Sequence, residues 1–296
     1  MGRFVRKKGA KPMNVYEIVT ARILESLAMG VVPWRKPWST DTPRNLVSGR
    51  EYRGVNVLLL QANAFESPWW LTFKQAKDLR GTVKRGEKGT PIVFWKVTEE
   101  EQSNGSVSKG FVLRYFTVFN IAQTEGIEVP KAAERTSFNP IETCEEVIAS
   151  YFIPPMIVHG GCHACYVPSK DEVRMPPRES FASREEYYST LFHELAHSTG
   201  AAHRLARKGV VDATRFATHD YSFEELVAEC GSAFLAAHAG IAPATLANSA
   251  AYIASWARKL KSEPRWIVEA ASQAAKAADL ILGRVPLAAA ETNEAA

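Results

Sequence analysis

The chain has 296 residues, 46% hydrophobic and 23% charged, which leaves room for two domains or one large one in an ordinary globular composition. No stretch approaches about eighteen apolar residues, the basic start "MGRFVRKKGAKP" lacks a signal-peptide core, and four cysteines are too few for a disulfide scaffold, so membrane and disulfide-stapled secreted classes are excluded and a cytoplasmic location is expected. The net charge of +4 is uneven: residues 1–130 carry 20 Lys and Arg against 12 Asp and Glu, while residues 131–296 carry 16 against 20, so only the first half looks built for a polyanion.

In chain order, Asn14 to Met29 reads as the first helix, capped by Asn14 with Glu17 three residues on and ended by Gly30. "VVPWRKPWSTDTPRN" is too rich in Pro and Trp for helix or regular strand. "WLTFKQAKDLRG" reads as a short helix closed by Gly81. "TPIVFWKVTEEE" and "GFVLRYFTVFNIAQ" are β-rich runs around a polar loop, which predicts an antiparallel hairpin. "TEGIEVPKAAERTSFNP" has no period and carries Gly and Pro, so the domain boundary falls near 124–140, giving 1–130, a linker 131–140, and 141–296. Beyond it, "IETCEEVIASYF" is a helix, and "CHACYVPSKDEVRMPP" gives one or two short strands ended by Pro176 and Pro177. Ser183 with Glu186 makes a capping box for a helix reaching Gly200, and Ser222 with Glu225 makes a second one for a helix reaching Gly240. Two further helices cover roughly 248–261 and 265–282. The expected class is α+β: a small N-terminal α+β domain with antiparallel strands, then a mainly helical domain with a short antiparallel sheet.

Within the Ser183 helix, His193-Glu194-Leu195-Ala196-His197 is an HExxH motif. Positions i and i+4 share a helix face, so both imidazoles can reach one metal, and Glu194 beside the first can take a proton from a bound water. A third ligand is needed, and three residues compete. His203 completes an HExxHxxGxxH spacing, but no methionine follows Met175 to supply the Met-turn that accompanies that spacing. Glu225 and Glu229 lie one turn apart in "SFEELVAECGSAFLAAHAG"; Glu225 is the expected partner of the Ser222 cap, whereas Glu229 sits among small and apolar residues, where a carboxylate is costly unless paired or ligating. Glu229 is therefore the favoured ligand. "CHAC" (Cys162 to Cys165) has metal and redox spacing but no second CxxC, and reads as ordinary thiols. "YVPSKDEVRMPP" suits an edge strand that could pair with an extended peptide.

In the first half, aromatic and cationic residues alternate: Trp34, Arg35, Lys36, Trp38, Arg53, Trp69, Trp70, Lys74, Lys84, Arg85, Lys88, Trp95 and Lys96, with Asn56 and Gln75 as polar candidates. Single-stranded nucleic acid is bound by this mixture, bases stacking on rings and cations following phosphates. "GTVKRGEKGT" adds a Gly-rich turn whose backbone can approach a phosphate chain.

"NVYEIVTARILESLAMGVVPWRKPW", "YRGVNVLLL", "WLTFKQAKDLRGTVKRGEKGTPIVFWK" and "YYSTLFHELAHSTG…RLAR…EELVAE" together resemble the ArdC antirestriction proteins of conjugative plasmids, over nearly the whole chain. The resemblance implies an N-terminal single-stranded DNA-binding domain shared with TraC-type plasmid primases. It also implies a C-terminal zincin-like metallopeptidase domain related to the SprT/Spartan proteases. By the same resemblance, His193 and His197 are ligands of one Zn2+ per chain (with Mn2+ as another candidate), Glu194 is the catalytic base, and Glu229 in "EELVAE" is the third ligand; the position of His203 is not a fixed histidine in the family pattern. The implied function is protection of incoming DNA from host restriction in the recipient cytoplasm after conjugation. The implied partners are single-stranded DNA and a restriction enzyme or other DNA-bound protein, with no membrane.

Overall fold

The structure, a computed structural model, describes residues 14–34, 42–63, 65, 67–101, 107–128, 140–211, 219–241 and 250–284; along 95–101 and 107–111, and at 140, 250 and 251, it describes the backbone course alone. Asn14 accepts a hydrogen bond from the Glu17 N–H and Glu17 accepts one from the Asn14 N–H, so α1 (Val15–Ala28) starts where expected. Gly30 follows its end at φ +78°.

β1 (Arg44–Asn45), α2 (Val55–Gln61), β2 (Trp69–Thr72) and α3 (Phe73–Asp78) come next. α3 is shorter than its sequence suggests because "WWLT" pairs as a strand, leaving Thr72 and Gln75 to cap the helix reciprocally. Arg80, not Gly81, takes the left-handed turn after it, at φ +61°. Gly81 is required for space instead: a Cβ there would lie 2.1 Å from the Ile127 side chain. After β3 (Thr82–Val83), β4 (Thr90–Glu101) and β5 (Val107–Asn120) form the expected antiparallel hairpin, with Thr90 opposite Val118 and Glu101 opposite Val107. β6 (Thr124–Glu125) pairs with β3, and the main sheet runs β1-β2-β5-β4 with only β1–β2 parallel.

The second half contains α4 (Pro140–Ala149), β7 (Met156–His159), β8 (Cys165–Val167), β9 (Glu172–Met175), α5 (Arg184–Ser198), α6 (Lys208–Val211), α7 (His219–Ala239), α8 (Ala250–Ser262) and α9 (Trp266–Ile281). Its sheet runs β7-β9-β8 and is mixed rather than antiparallel, since β7 pairs with β9 in parallel. No helix among the described residues is long and apolar enough to cross a membrane.

The hydrophobic core crosses the boundary expected at 131–140. Val19 and Ile23 of α1, Leu58 of α2, and Val93 and Leu113 of the hairpin pack with Leu226, Val227 and Cys230 of α7 and Ile267 of α9. Farther along α7, Leu235, Ala236 and Ala239 pack with α4, β9 and α5. Polar contacts join the same surfaces: Thr20 Oγ1 donates to the Pro264 carbonyl at 2.7 Å, and Arg53 pairs with Asp279. Where α5 crosses α7, a Cβ on Gly231 would lie 3.0 Å from the Ala196 Cβ, so the glycine lets the two helices close on each other.

Candidate metal centre

α5 is set by Ser183, whose Oγ accepts the Glu186 N–H at 3.1 Å. Glu186 returns its carboxylate to the Ala182 N–H rather than to Ser183, so only half of the expected box forms. Leu191, Phe192 and Leu195 are buried and fix the roll of the helix, which turns His193 and His197 to one side with their Nε2 atoms 3.1 Å apart.

Among the described residues, the carboxylate grouped with that pair is Glu225's, while Glu229, favoured from the sequence, acts on His193 through its charge. Glu225 Oε2 lies 3.6 Å from His193 Nε2 and Oε1 lies 3.5 Å from His197 Nε2. Among the described residues, His193, His197 and Glu225 are the one such group, with ligand atoms within 4.8 Å of one another. The reason is the helix start. α7 begins at His219, so Ser222 lies inside the helix, the expected capping box does not form, and Glu225 is released to face α5. Glu229, one turn on, accepts from the Tyr252 hydroxyl at 2.8 Å. His203 is half exposed and turned to Asp171, 3.4 Å away. Cys162 and Cys165 are free and exposed, outside the group.

His193 and Glu225 each favour the other's charged form. Burial disfavours the His193 imidazolium, but the hydrogen bond to Glu225 and the charges of Glu229 and Glu194 outweigh it and push the pKa up to about 9. Burial likewise opposes the Glu225 carboxylate, and His193 and His197 outweigh it, pulling it down to about 2. Two imidazoles and a carboxylate on a half-open face are a donor set that fits one divalent metal and leaves a coordination position for water.

Three supports were not legible from motif spacing. Glu224 Oε1 takes the Nδ1 side of His197 at 3.2 Å, the carboxylate–histidine arrangement that orients a ligand. Arg207 grips both oxygens of buried Glu224, at 2.8 and 2.6 Å, and donates to Thr199 Oγ1 and the Ala196 carbonyl. Gly200 makes room for this, because a Cβ there would meet Val210 at 2.5 Å and Arg207 at 3.0 Å. Glu194 is 8% exposed, and its Oε2 accepts the backbone N–H of Tyr166 in edge strand β8 at 2.8 Å. Of "YVPSKDEVRMPP", then, only Tyr166 and Val167 lie on an edge strand, while Glu172 to Met175 form the central strand. Asp171, in the turn between them, is held bidentately by Arg204 at 2.7 and 2.8 Å and by the Tyr166 hydroxyl at 2.9 Å.

The family described as the N-terminal domain of anti-restriction factor ArdC matches residues 13–132, and a zincin-like metallopeptidase family matches residues 142–273. The crystal structure of the antirestriction ArdC protein from plasmid R388 superposes with a TM-score of 0.73 at 36% identity, covering 91% of this chain and 97% of that one. The chain belongs to the ArdC family of antirestriction proteins. The R388 ArdC protein is also known in an Mn(II)-bound form with the same likeness. An uncharacterized protein of Sinorhizobium fredii is 36% identical over 285 residues, 90% of this chain and 91% of that protein. The Escherichia coli DNA primase TraC is 34% identical over 292 residues; the ArdC-family chain here covers 90% of its own length but only 27% of the primase.

The structure disperses the DNA-binding candidates in this ArdC-family chain. Trp34 and Trp70 are 1% and 2% exposed and serve as core, so no base can stack on them. Asn56 is buried and bonds both ways to the Val93 backbone, at 2.8 and 2.7 Å. Gln75 is occupied in capping α3 and bonding Asn45. Arg53 is paired with Asp279. Trp69 is half-buried with the Arg44 guanidinium 5.5 Å over its ring. Lys74, Lys84, Arg85 and Lys88 are exposed. Arg35, Lys36 and Trp38 lie outside the described residues, and the side chains of Trp95 and Lys96 do as well.

Proposed function

We propose that this chain is an antirestriction protein that binds single-stranded DNA through its basic half and carries a working metallopeptidase centre. The observation that carries the second part is the meeting of His193, His197 and Glu225, with Glu194 beside them pinned to an edge strand. Zinc is the ion that this donor set favours, and the Mn(II) form of the R388 relative supports a site open to other divalent ions. When bound, the metal supplies Lewis acidity to a peptide carbonyl and to water. Glu194 accepts the proton of the attacking water and returns it to the leaving amine. Tyr166 fixes that carboxylate through Oε2, and the free side of β8 receives an extended peptide. Glu224 and Arg207 hold His197 in its ligating orientation.

The test is Glu194→Gln, which keeps the size of the side chain but accepts no proton. Metal content and fold are expected unchanged, while cleavage of DNA-bound protein falls by roughly 100-fold or more. Conjugation into a restricting host then reads how much of the protection needs the chemistry. Retained cleavage by Glu194→Gln would refute the proposed base.

A further inference from the structure

With Trp34 and Trp70 in the core, the question is where bases would stack, and the β4–β5 hairpin carries an answer. One face of it begins buried: Ile92 and Val118 pack under Tyr52, Leu60 and Trp70. Two residues farther along each strand this cover ends, and Phe94 and Phe116 stand on the same face 47% and 50% exposed. Their ring centroids are 5.9 Å apart with planes turned 65°, so the rings form an angular pair rather than one flat shelf. Arg114 is exposed and in register opposite Phe94, on the same face as Phe116 and as Val112, itself 45% exposed.

Leaving half of two phenylalanines in water has a cost, and cross-strand aromatic pairs return only part of it. A patch of two rings and one exposed guanidinium matches single-stranded nucleic acid, in which bases offer faces to the rings and phosphates offer charge to the arginine. An apolar protein partner would leave Arg114 without a counter-charge. The basic half as a whole, with 20 Lys and Arg against 12 Asp and Glu in residues 1–130, favours the polyanion.

We infer that Phe94, Phe116 and Arg114 form the base-stacking platform for single-stranded DNA on the outer face of the hairpin. This rests on the DNA-binding reading above and assigns it to residues that the tryptophan pattern does not include. Two stacked nucleotides with the phosphate between them at Arg114 is the arrangement expected.

The experiment uses the full chain and a fluorescein-labelled oligo(dT), read by anisotropy across a salt series. Phe94→Ala/Phe116→Ala is expected to weaken binding by roughly tenfold or more, while Phe94→Tyr/Phe116→Tyr keeps it, because a phenol ring still stacks. Arg114→Gln is expected to lower the slope of log affinity against log salt by about one. Thermal unfolding of each variant separates lost stacking from lost hairpin stability, since the substituted side chains are half in solvent. If the wild type binds oligo(dT) and the double alanine variant binds equally well at equal stability, the platform is refuted and the DNA-binding reading stands. If the wild type does not bind, that reading fails and the platform with it. If the alanine variant leaves DNA affinity alone but abolishes self-association in sedimentation, the face joins copies of the chain and the inference is overturned.

Discussion

Glu224 and Glu225 are neighbours in the chain and do different work. Glu225 faces both histidine Nε2 atoms, and Glu224 faces the far side of His197 with Arg207 behind it. Glu225→Ala and His193→Ala are therefore expected to empty the site, while Glu229→Ala and His203→Ala leave about one metal per chain, as measured by elemental analysis after desalting. Equal loss in Glu229→Ala would return the third ligand to that residue. The histidine pair was legible because it depends only on the helical period between His193 and His197. Which carboxylate lies nearest the pair was not, because that depends on where α7 starts, and Ser222 has the spacing of a cap while lying inside the helix. Asp171 gives a prediction in pH. Its partial burial opposes the charge, but Arg204 and Tyr166 outweigh that and hold the carboxyl below its usual range. A depressed folded value stabilises above the unfolded pKa of about 3.9 and is lost as pH falls through the folded value. Asp171→Asn tolerates the left-handed backbone at φ +47° and removes the charge. Its urea midpoint should lie below the wild type at neutral pH, with the gap closing below about pH 4. A gap that persisted unchanged in acid would place the effect outside this ion pair.

The centre depends on how closely α5 and α7 approach, which Gly231 and Ala196 determine. Gly231→Val should push the helices apart and cost about 1–3 kcal/mol in chemical denaturation. It should also weaken metal binding, since Glu225 travels with α7 while the histidines travel with α5. Loss of stability with unchanged metal affinity would show that the crossing does not set the ligand distances. This contact was invisible in the sequence, where "AECGSAF" offers no sign of what the glycine meets. The β4–β5 hairpin, by contrast, was legible from its two β-rich runs, and α8 and α9 lie close to their expected ranges. Strand pairing in the second half is less legible. The alternation in "YVPSKDEVRMPP" marks strands but not their order, and β9 proved central where an edge was expected.

A composition that changes sign between halves suggested two separable domains, yet α1, α2 and the hairpin share one core with α7, α8 and α9. Trp34 illustrates the difference. It sits in the Pro- and Trp-rich stretch "VVPWRKPW", yet its ring is buried edge-on to Trp256 and its indole N–H donates to Tyr252 at 3.3 Å. Charge and aromatic content indicate what a segment contains but not which side chains face inward, and that choice is made here by helices about 200 residues later in the chain. Tryptophan fluorescence, which samples both halves, and far-UV circular dichroism should therefore report one coincident unfolding transition. Two separated transitions would show that the halves fold independently in spite of the shared core.

A core assembled from both halves also bears on heredity. In the Escherichia coli DNA primase TraC, the likeness runs through 292 residues, about the length of this whole chain, inside a much longer protein. Recombination between 131 and 139 would join a foreign α1–α2 surface to an α7–α9 wall shaped for another, exposing or overpacking Val19, Ile23 and Leu58. Such chimaeras between distant relatives should be insoluble more often than exchanges of the entire block, so the gene segment that can be shuffled between plasmids is the pair of halves together.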